Sequence, residues 1–218
     1  MVSRNLRKKI KGLNRWIKGL YIKGYNSPLR KGKYGDFIFI HLNKNGGTSI
    51  SNAIGLPYVR HLNVKEIISM IGEDAFSQSF VFCVVRNPWD RVVSQYEFRL
   101  RTNQINKSDI NSSFKEWVKD TYGGQNTFSN YKNPKLFYPQ CDWLKDKNGV
   151  IRVENILKFE SLHDDFEKIT EKLGIKNDLP HLNVTRKKSY KNYYDKETEE
   201  TVGKWFKEDI ERFNYSFE

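Results

Sequence analysis

The chain has 218 residues, enough for one substantial α/β domain, with 38% hydrophobic and 14% aromatic residues to fill its core. No run approaches the ~20 apolar residues of a membrane span, and no apolar signal segment opens the sequence. Its two cysteines, Cys83 and Cys141, fit a reduced compartment and lack the spacing of a zinc site. The formal charge of +12 sits almost wholly in residues 1–35, which carry eleven Lys or Arg and no acid, so the remainder sums to +12 − 11 = +1.

Residues 1–35 read as a basic arm and linker, and residues 36–218 as the domain proper. In the arm, Leu6, Ile10, Leu13, Ile17 and Leu20 recur at helical steps opposite a face of Lys and Arg. Such a helix could lie on an anionic membrane surface through residues 1–22, or pack its stripe on the domain. No recognition motif accompanies the charge, so nucleic acid is not an expected partner. Tyr25 to Gly35 reads as linker.

The next stretch, Phe37-Ile-Phe-Ile-His-Leu-Asn-Lys-Asn-Gly-Gly-Thr-Ser-Ile50, carries the sharpest signal. An apolar, β-branched run breaks at Asn43 to Gly47, and Thr48 and Ser49 open a short helix ending near Ile54. Strand, glycine turn and helix start together turn backbone N–H groups towards an anion. Gly46 and Gly47 remove β-carbons that would keep a phosphate off the backbone, Thr48 and Ser49 add hydroxyls, and Lys44 adds a charge. The plain alternative is a strand–turn–helix whose glycines only permit a tight turn. The NTPase pattern G-x-x-x-x-G-K-[ST] is absent, because the lysine precedes the glycine pair.

Further along, His61 to Ile71 has helical spacing with Asn63 as N-cap, and Phe80 to Val85 reads as a second buried strand. It ends at Arg86-Asn-Pro88, where Pro88 suits the first turn of a helix running to Arg101. Phe114 to Tyr122 reads as a short helix, and Gly123 to Pro139 as a long loop bordering a cleft. Val150 to Val153 and Ile156 to Phe159 read as short strands. Leu162 to Leu173 forms a helix stopped by Gly174, Leu179 to Tyr194 a basic loop, and Glu197 to Phe213 one last helix. Strands alternating with helices predict an α/β fold, P-loop-like, a three-layer α/β/α arrangement around a central parallel sheet.

The second strand end, Arg86-Asn-Pro-Trp-Asp-Arg-Val-Val-Ser-Gln-Tyr96, offers another anion site. Arg86 can make paired hydrogen bonds to a phosphate, and Arg91 and Ser94 lie three apart on one helical face. Surface charge balancing, with Arg91 paired to a carboxylate, is the alternative.

Together the two stretches resemble the sulfotransferases. His41-Leu-Asn-Lys-Asn-Gly-Gly-Thr-Ser-Ile50 looks like their 5′-phosphosulfate loop, and the run from Arg86 to Tyr96 like their 3′-phosphate motif. The branch of carbohydrate sulfotransferases and their bacterial relatives is the most similar. Asn43 stands where that family commonly has Pro, and Asn45 where it commonly has Thr. The resemblance implies 3′-phosphoadenosine 5′-phosphosulfate as donor and a hydroxyl acceptor, by family branch a carbohydrate, with no metal required. It implies that Lys44, Asn45, Gly46, Gly47, Thr48 and Ser49 hold the 5′-phosphosulfate, that Arg86 and Ser94 hold the 3′-phosphate, and that Arg186, Lys187 or Lys188 closes over the nucleotide. Lys44 would stabilise charge on the bridging oxygen. His61, placed where relatives carry a catalytic histidine, would be the general base, with Glu97 the alternative. His41 is expected to be structural, His163 to lie on the surface, and His181 to position nucleotide. A cytoplasmic enzyme, peripheral at the inner membrane surface through its arm, is the expected location. Two rivals stand beside this reading: a small-molecule kinase on a P-loop-like scaffold, and a non-catalytic nucleotide-holding module with a membrane-binding arm.

Overall fold

The computed structural model describes residues 31–32, 35–56, 61–105, 113–124, 131, 133–174 and 189–218. The basic arm, His181, and Arg186, Lys187 and Lys188 lie outside the described residues. No helix among the described residues is long and apolar enough to cross a membrane.

The centre is a four-stranded sheet in the order β1 (Lys31–Gly32), β2 (Gly35–Ile40), β3 (Phe80–Val85), β4 (Asn155–Lys158). β2, β3 and β4 are parallel, with Phe37 opposite Phe80 and Phe82 opposite Asn155; β1 pairs antiparallel with β2. Lys31–Gly32, read as linker from sequence, thus extends the sheet by one short hairpin strand.

The alternation of side chains along a strand makes the layers. Ile38, Ile40, Val81, Cys83 and Val85 face α2 (Val64–Ile71), α3 (Glu73–Ser77) and α6 (Gln140–Leu144). Phe37, Phe39, Phe82, Val84 and Leu157 face α1 (Gly47–Ala53) and α7 (Leu162–Leu173). Phe37 and Phe82 are fully buried, each worth roughly 2–3 kcal/mol of transfer free energy. The predicted α/β/α layering holds. A third core, formed by α4 (Pro88–Arg101), α5 (Phe114–Tyr122) and α8 (Lys196–Trp205), closes around Trp89, Trp117, Tyr122 and Phe206. Asn63 caps α2 as expected, in a reciprocal box with Glu66.

Two expectations are corrected. Val150 to Val153 is not a strand of the sheet: Ile151 makes a single antiparallel bridge with Lys145, because the Asp146 carboxylate accepts from the Asn148 and Val150 amides and folds the segment into a turn. The last helix is two, α8 and α9 (Lys207–Phe213), broken at Phe206, which leaves helical geometry (φ −102°, ψ 24°) while its ring is wholly buried. The bend lets the buried Asp209 carboxylate accept from the amides of Gln140 and Cys141, at 2.7 and 2.8 Å.

Candidate active site

All three parallel strands end at one edge, and their tips touch. After β2 the chain turns through Asn43 to Gly46, with Lys44 (φ +65°) and Gly46 (φ +76°) left-handed. Glycine takes that conformation freely; a lysine does so at a cost of about 1–3 kcal/mol, the kind of strain that accumulates at functional sites. The first N–H groups of α1 have no acceptor within the helix. Gly46 lies against Phe159 and Leu162 from the β4 tip, where an added β-carbon would come within 3.0 Å of Leu162. At Gly47 a β-carbon would come within 2.1 Å of the His41 ring, so only glycine lets that ring lie against the loop.

The side chains of this loop turn inward. Asn45, 1% exposed, donates from Nδ2 to the Val84 carbonyl and to Gln140 Oε1, both at 2.7 Å. Its contribution to a ligand would therefore come from the backbone. Asn43 meets Arg91, whose guanidinium is fully buried and donates to Asn43 Oδ1 (2.8 Å) and to the carbonyls of Asn43, Tyr138 and Leu136. Arg91 is thus a strut under the loop, held by carbonyl and amide oxygens where a carboxylate partner was the sequence alternative. Burial lowers its pKa, with the Asp209 charge opposing. The Asn43 Oδ1 contact supplies a reason for asparagine at this position.

At the β3 tip, Arg86 donates from Nη1 to the Lys44 carbonyl at 2.8 Å, lies over the Phe159 ring at 4.0 Å, and pairs with Asp90 at 2.6 Å. The Asn87 amide donates to Glu160 of the β4 tip (2.7 Å), and the Asn87 side chain caps α4 at Trp89 and Asp90. Ser94 lies one turn past Arg91, partly exposed. Thr48 is exposed and Ser49 partly so.

Lys44 extends over the Phe98 ring of α4, 4.5 Å from its centroid. Burial, then the charges of Arg101, Arg86 and Arg99, push its ammonium down to about 8, with Glu97 pulling the other way. Glu97, the alternative base, accepts from the Tyr193 hydroxyl at 2.7 Å.

His61 Nδ1 lies 2.9 Å from the His41 carbonyl. A carbonyl can only accept, so Nδ1 carries the proton and Nε2 keeps its lone pair. Burial lowers the His61 pKa, and Lys135, Arg91 and Lys44 act the same way against that hydrogen bond. The His41 ring is buried, stacked on Phe39 and 4.5 Å from the His61 ring; burial and then His61 push its pKa down to about 3. His41 is structural, as expected, though through its carbonyl and ring packing. His163 is exposed on α7.

Lys44, Gly46, Gly47, Arg86 and His61 thus converge on one strand edge. A sequence model of the sulfotransferase family matches residues 33–216. The chain belongs to the sulfotransferase family. An uncharacterized protein of Archaeoglobus fulgidus is similar to this chain, 33% identical over 114 residues that cover 52% of the chain and 82% of that relative. No solved structure matches it.

Sequence reasoning missed the struts of the candidate site: Asn43, Gln140 and Asp209, and the structural role of Arg91. The only signal was a glutamine in Pro139-Gln-Cys-Asp-Trp143, set beside residue types that bury.

Proposed function

We propose that the protein transfers a sulfuryl group from 3′-phosphoadenosine 5′-phosphosulfate to a hydroxyl acceptor, by family branch a carbohydrate. The observation that carries this reading is the contact between the two loops: Arg86 Nη1 donates to the Lys44 carbonyl, so both candidate anion sites border one space. The residues fit such a ligand, because burial and then the charges of Arg101, Arg86 and Arg99 depress the Lys44 ammonium, and a polyanion relieves the repulsion among these cations. The first N–H groups of α1, which have no acceptor within the helix, are the donors that phosphate oxygens would meet.

Bound, the donor supplies a sulfuryl group on a phosphate leaving group. The residues of the loop after β2 and the start of α1, Asn45 to Ser49, hold its 5′ end through backbone N–H groups and the hydroxyls of Thr48 and Ser49. Arg86 and Ser94 hold the 3′-phosphate, and Arg186, Lys187 or Lys188 closes over the nucleotide. His61 Nε2 takes the proton of the acceptor hydroxyl as its oxygen bonds to sulfur. Lys44 stabilises the negative charge that grows on the bridging oxygen as the sulfur–oxygen bond breaks, an interaction stronger in the transition state than before it. The basic arm, residues 1–22, lies on an anionic membrane surface, and the domain of residues 36–218 works in the cytoplasm; the charge asymmetry of the sequence supports this part.

The test is a calorimetric titration of adenosine 3′,5′-bisphosphate against AMP and ATP. The bisphosphate should bind at least tenfold tighter than either, about 1.4 kcal/mol. Equal affinities, or magnesium-dependent ATP turnover, would overturn the reading.

A further inference from the structure

The buried Gln140 side chain links the two anion loops without touching solvent. It is fully buried at the start of α6. Its Oε1 accepts from Asn45 Nδ2 (2.7 Å), in the loop after β2, and from the Arg86 amide (2.9 Å), at the tip of β3. Its Nε2 donates to the Arg86 carbonyl at 2.9 Å. One carboxamide thus uses both ends on two segments 41 positions apart in sequence (86 − 45). Asp209 holds Gln140 in turn, through the Gln140 and Cys141 amides. The arrangement is directional: the amide of Arg86 needs an acceptor and its carbonyl needs a donor, and a carboxamide offers both in one plane where an ionised carboxylate only accepts.

Resting on the sulfuryl-transfer reading, we propose that Gln140 is a positioning residue that sets the separation of the two anion loops. It thereby governs the preference for a nucleotide phosphorylated at both ends over one phosphorylated at a single end. A ligand that bridges both loops gains from their fixed spacing; a ligand that uses one loop does not. A residue that merely supported the fold would weaken both ligands alike.

The experiment measures the affinity ratio of adenosine 3′,5′-bisphosphate to AMP on the full chain, for wild type, Gln140→Met and Gln140→Glu. In Gln140→Met the ratio falls about tenfold, within the usual range of coupling between sites, while AMP affinity stays near wild type. In Gln140→Glu the ionised carboxylate cannot donate to the Arg86 carbonyl, so the ratio is low at pH 8. It recovers towards pH 5 as the carboxyl gains a proton, read as the variant's ratio divided by the wild type's at each pH, which cancels the titration of the ligand phosphates. An unchanged ratio in both variants, or parallel loss for both ligands, overturns the proposal. A wild type that does not favour the bisphosphate overturns the sulfuryl-transfer reading and this proposal with it. Should neither variant fold, hydrogen exchange on the wild type decides: a latch requires the Arg86 amide, bonded to Gln140, and the Ser49 and Ile50 amides, bonded to the Gly46 carbonyl, to open with one common free energy, and independent opening refutes it.

Discussion

The two strand tips that form the candidate site are built on opposite plans. At the tip of β2 the side chains of Asn43 and Asn45 turn inward as struts, onto Arg91, Val84 and Gln140, and what is left to a ligand is loop backbone at Gly46, the hydroxyls of Thr48 and Ser49, and Lys44. At the tip of β3 the loop backbone is the part tied down, by Gln140 and Glu160, and the guanidinium of Arg86 is the part that faces the neighbouring loop. The first candidate site offers a left-handed loop and a helix start; the second offers a charge already balanced by Asp90. On the reading proposed above, an anion gripped by both would meet a rigid cradle at one end and, if the Asp90 pairing only balances charge, an adjustable cation at the other.

The rigid end is where substitution costs most. Lys44→Ala removes the ammonium of the loop after β2 and should lower turnover by about 10³, the loss seen when a charge-stabilising donor is deleted, measured by transfer from labelled donor. The protein itself should be no less stable, since alanine tolerates the left-handed turn no worse than lysine does. Gly47→Ala acts differently. Its β-carbon falls on the His41 ring, so it should cost about 1–3 kcal/mol of stability by overpacking, read by urea denaturation. It should also lower turnover, because the displaced His41 carries the carbonyl that orients His61. Normal turnover in Gly47→Ala would show that the contact between glycine loop and histidine pair has no functional weight.

The acid–base pair sets a second contrast, visible in pH. His61 has a pKa below the ordinary imidazole range, so it is neutral and able to accept a proton at pH 7, and the acid limb of turnover should lie below 6.5. Lys44, at about 8 in the free protein, loses its charge as pH rises, so kcat/KM for the donor should fall above that value. Donor binding favours the charged lysine, so the basic limb of kcat should move to higher pH. Lys44→Arg should remove the limb near 8 if Lys44 causes it. His61→Ala should cut turnover about 10²-fold, erase the acid limb and leave bisphosphate affinity near wild type. A retained acid limb would move the role of base to another group, Glu97 first.

How far the sequence foretold this depended on whether a residue's role was local. The bounds of β3, α5 and α7 follow from apolar runs, caps and Gly174, all read over a few neighbours. The glycine loop and the Arg86 tip were legible for the same reason, as contiguous patterns. What stayed hidden were roles fixed by partners distant in the chain. Asn45 reads as a polar loop residue until Gln140, 95 positions on, claims its amide. Arg91 reads as a surface cation until four oxygens from two segments surround it. The break at Phe206 is not written in helix propensity; it follows from burying that ring while turning Asp209 towards α6. In each case the polar group meets a need set by tertiary burial, since a buried polar atom must find its partner wherever the fold supplies one.

The adjustable end yields the smallest effect and the most informative sign. Asp90 holds Arg86 at 2.6–2.7 Å through two nitrogens, with both side chains mostly buried. If that pairing only balances charge, Asp90→Asn leaves the geometry in place, since its oxygen still accepts from Arg86, and removes a negative charge beside the 3′ site. Bisphosphate should then bind roughly threefold tighter, about 0.7 kcal/mol, and AMP, which has no 3′-phosphate, should be unaffected. The variant should lose about 1 kcal/mol of stability, because a charge-assisted bond becomes an ordinary one. If instead the carboxylate is what aims the guanidinium, the bisphosphate weakens, and the β3 tip proves as preorganised as the glycine cradle opposite it. The sign of that small change, read by calorimetry, decides whether the site is one rigid clamp or a rigid seat with a movable cation.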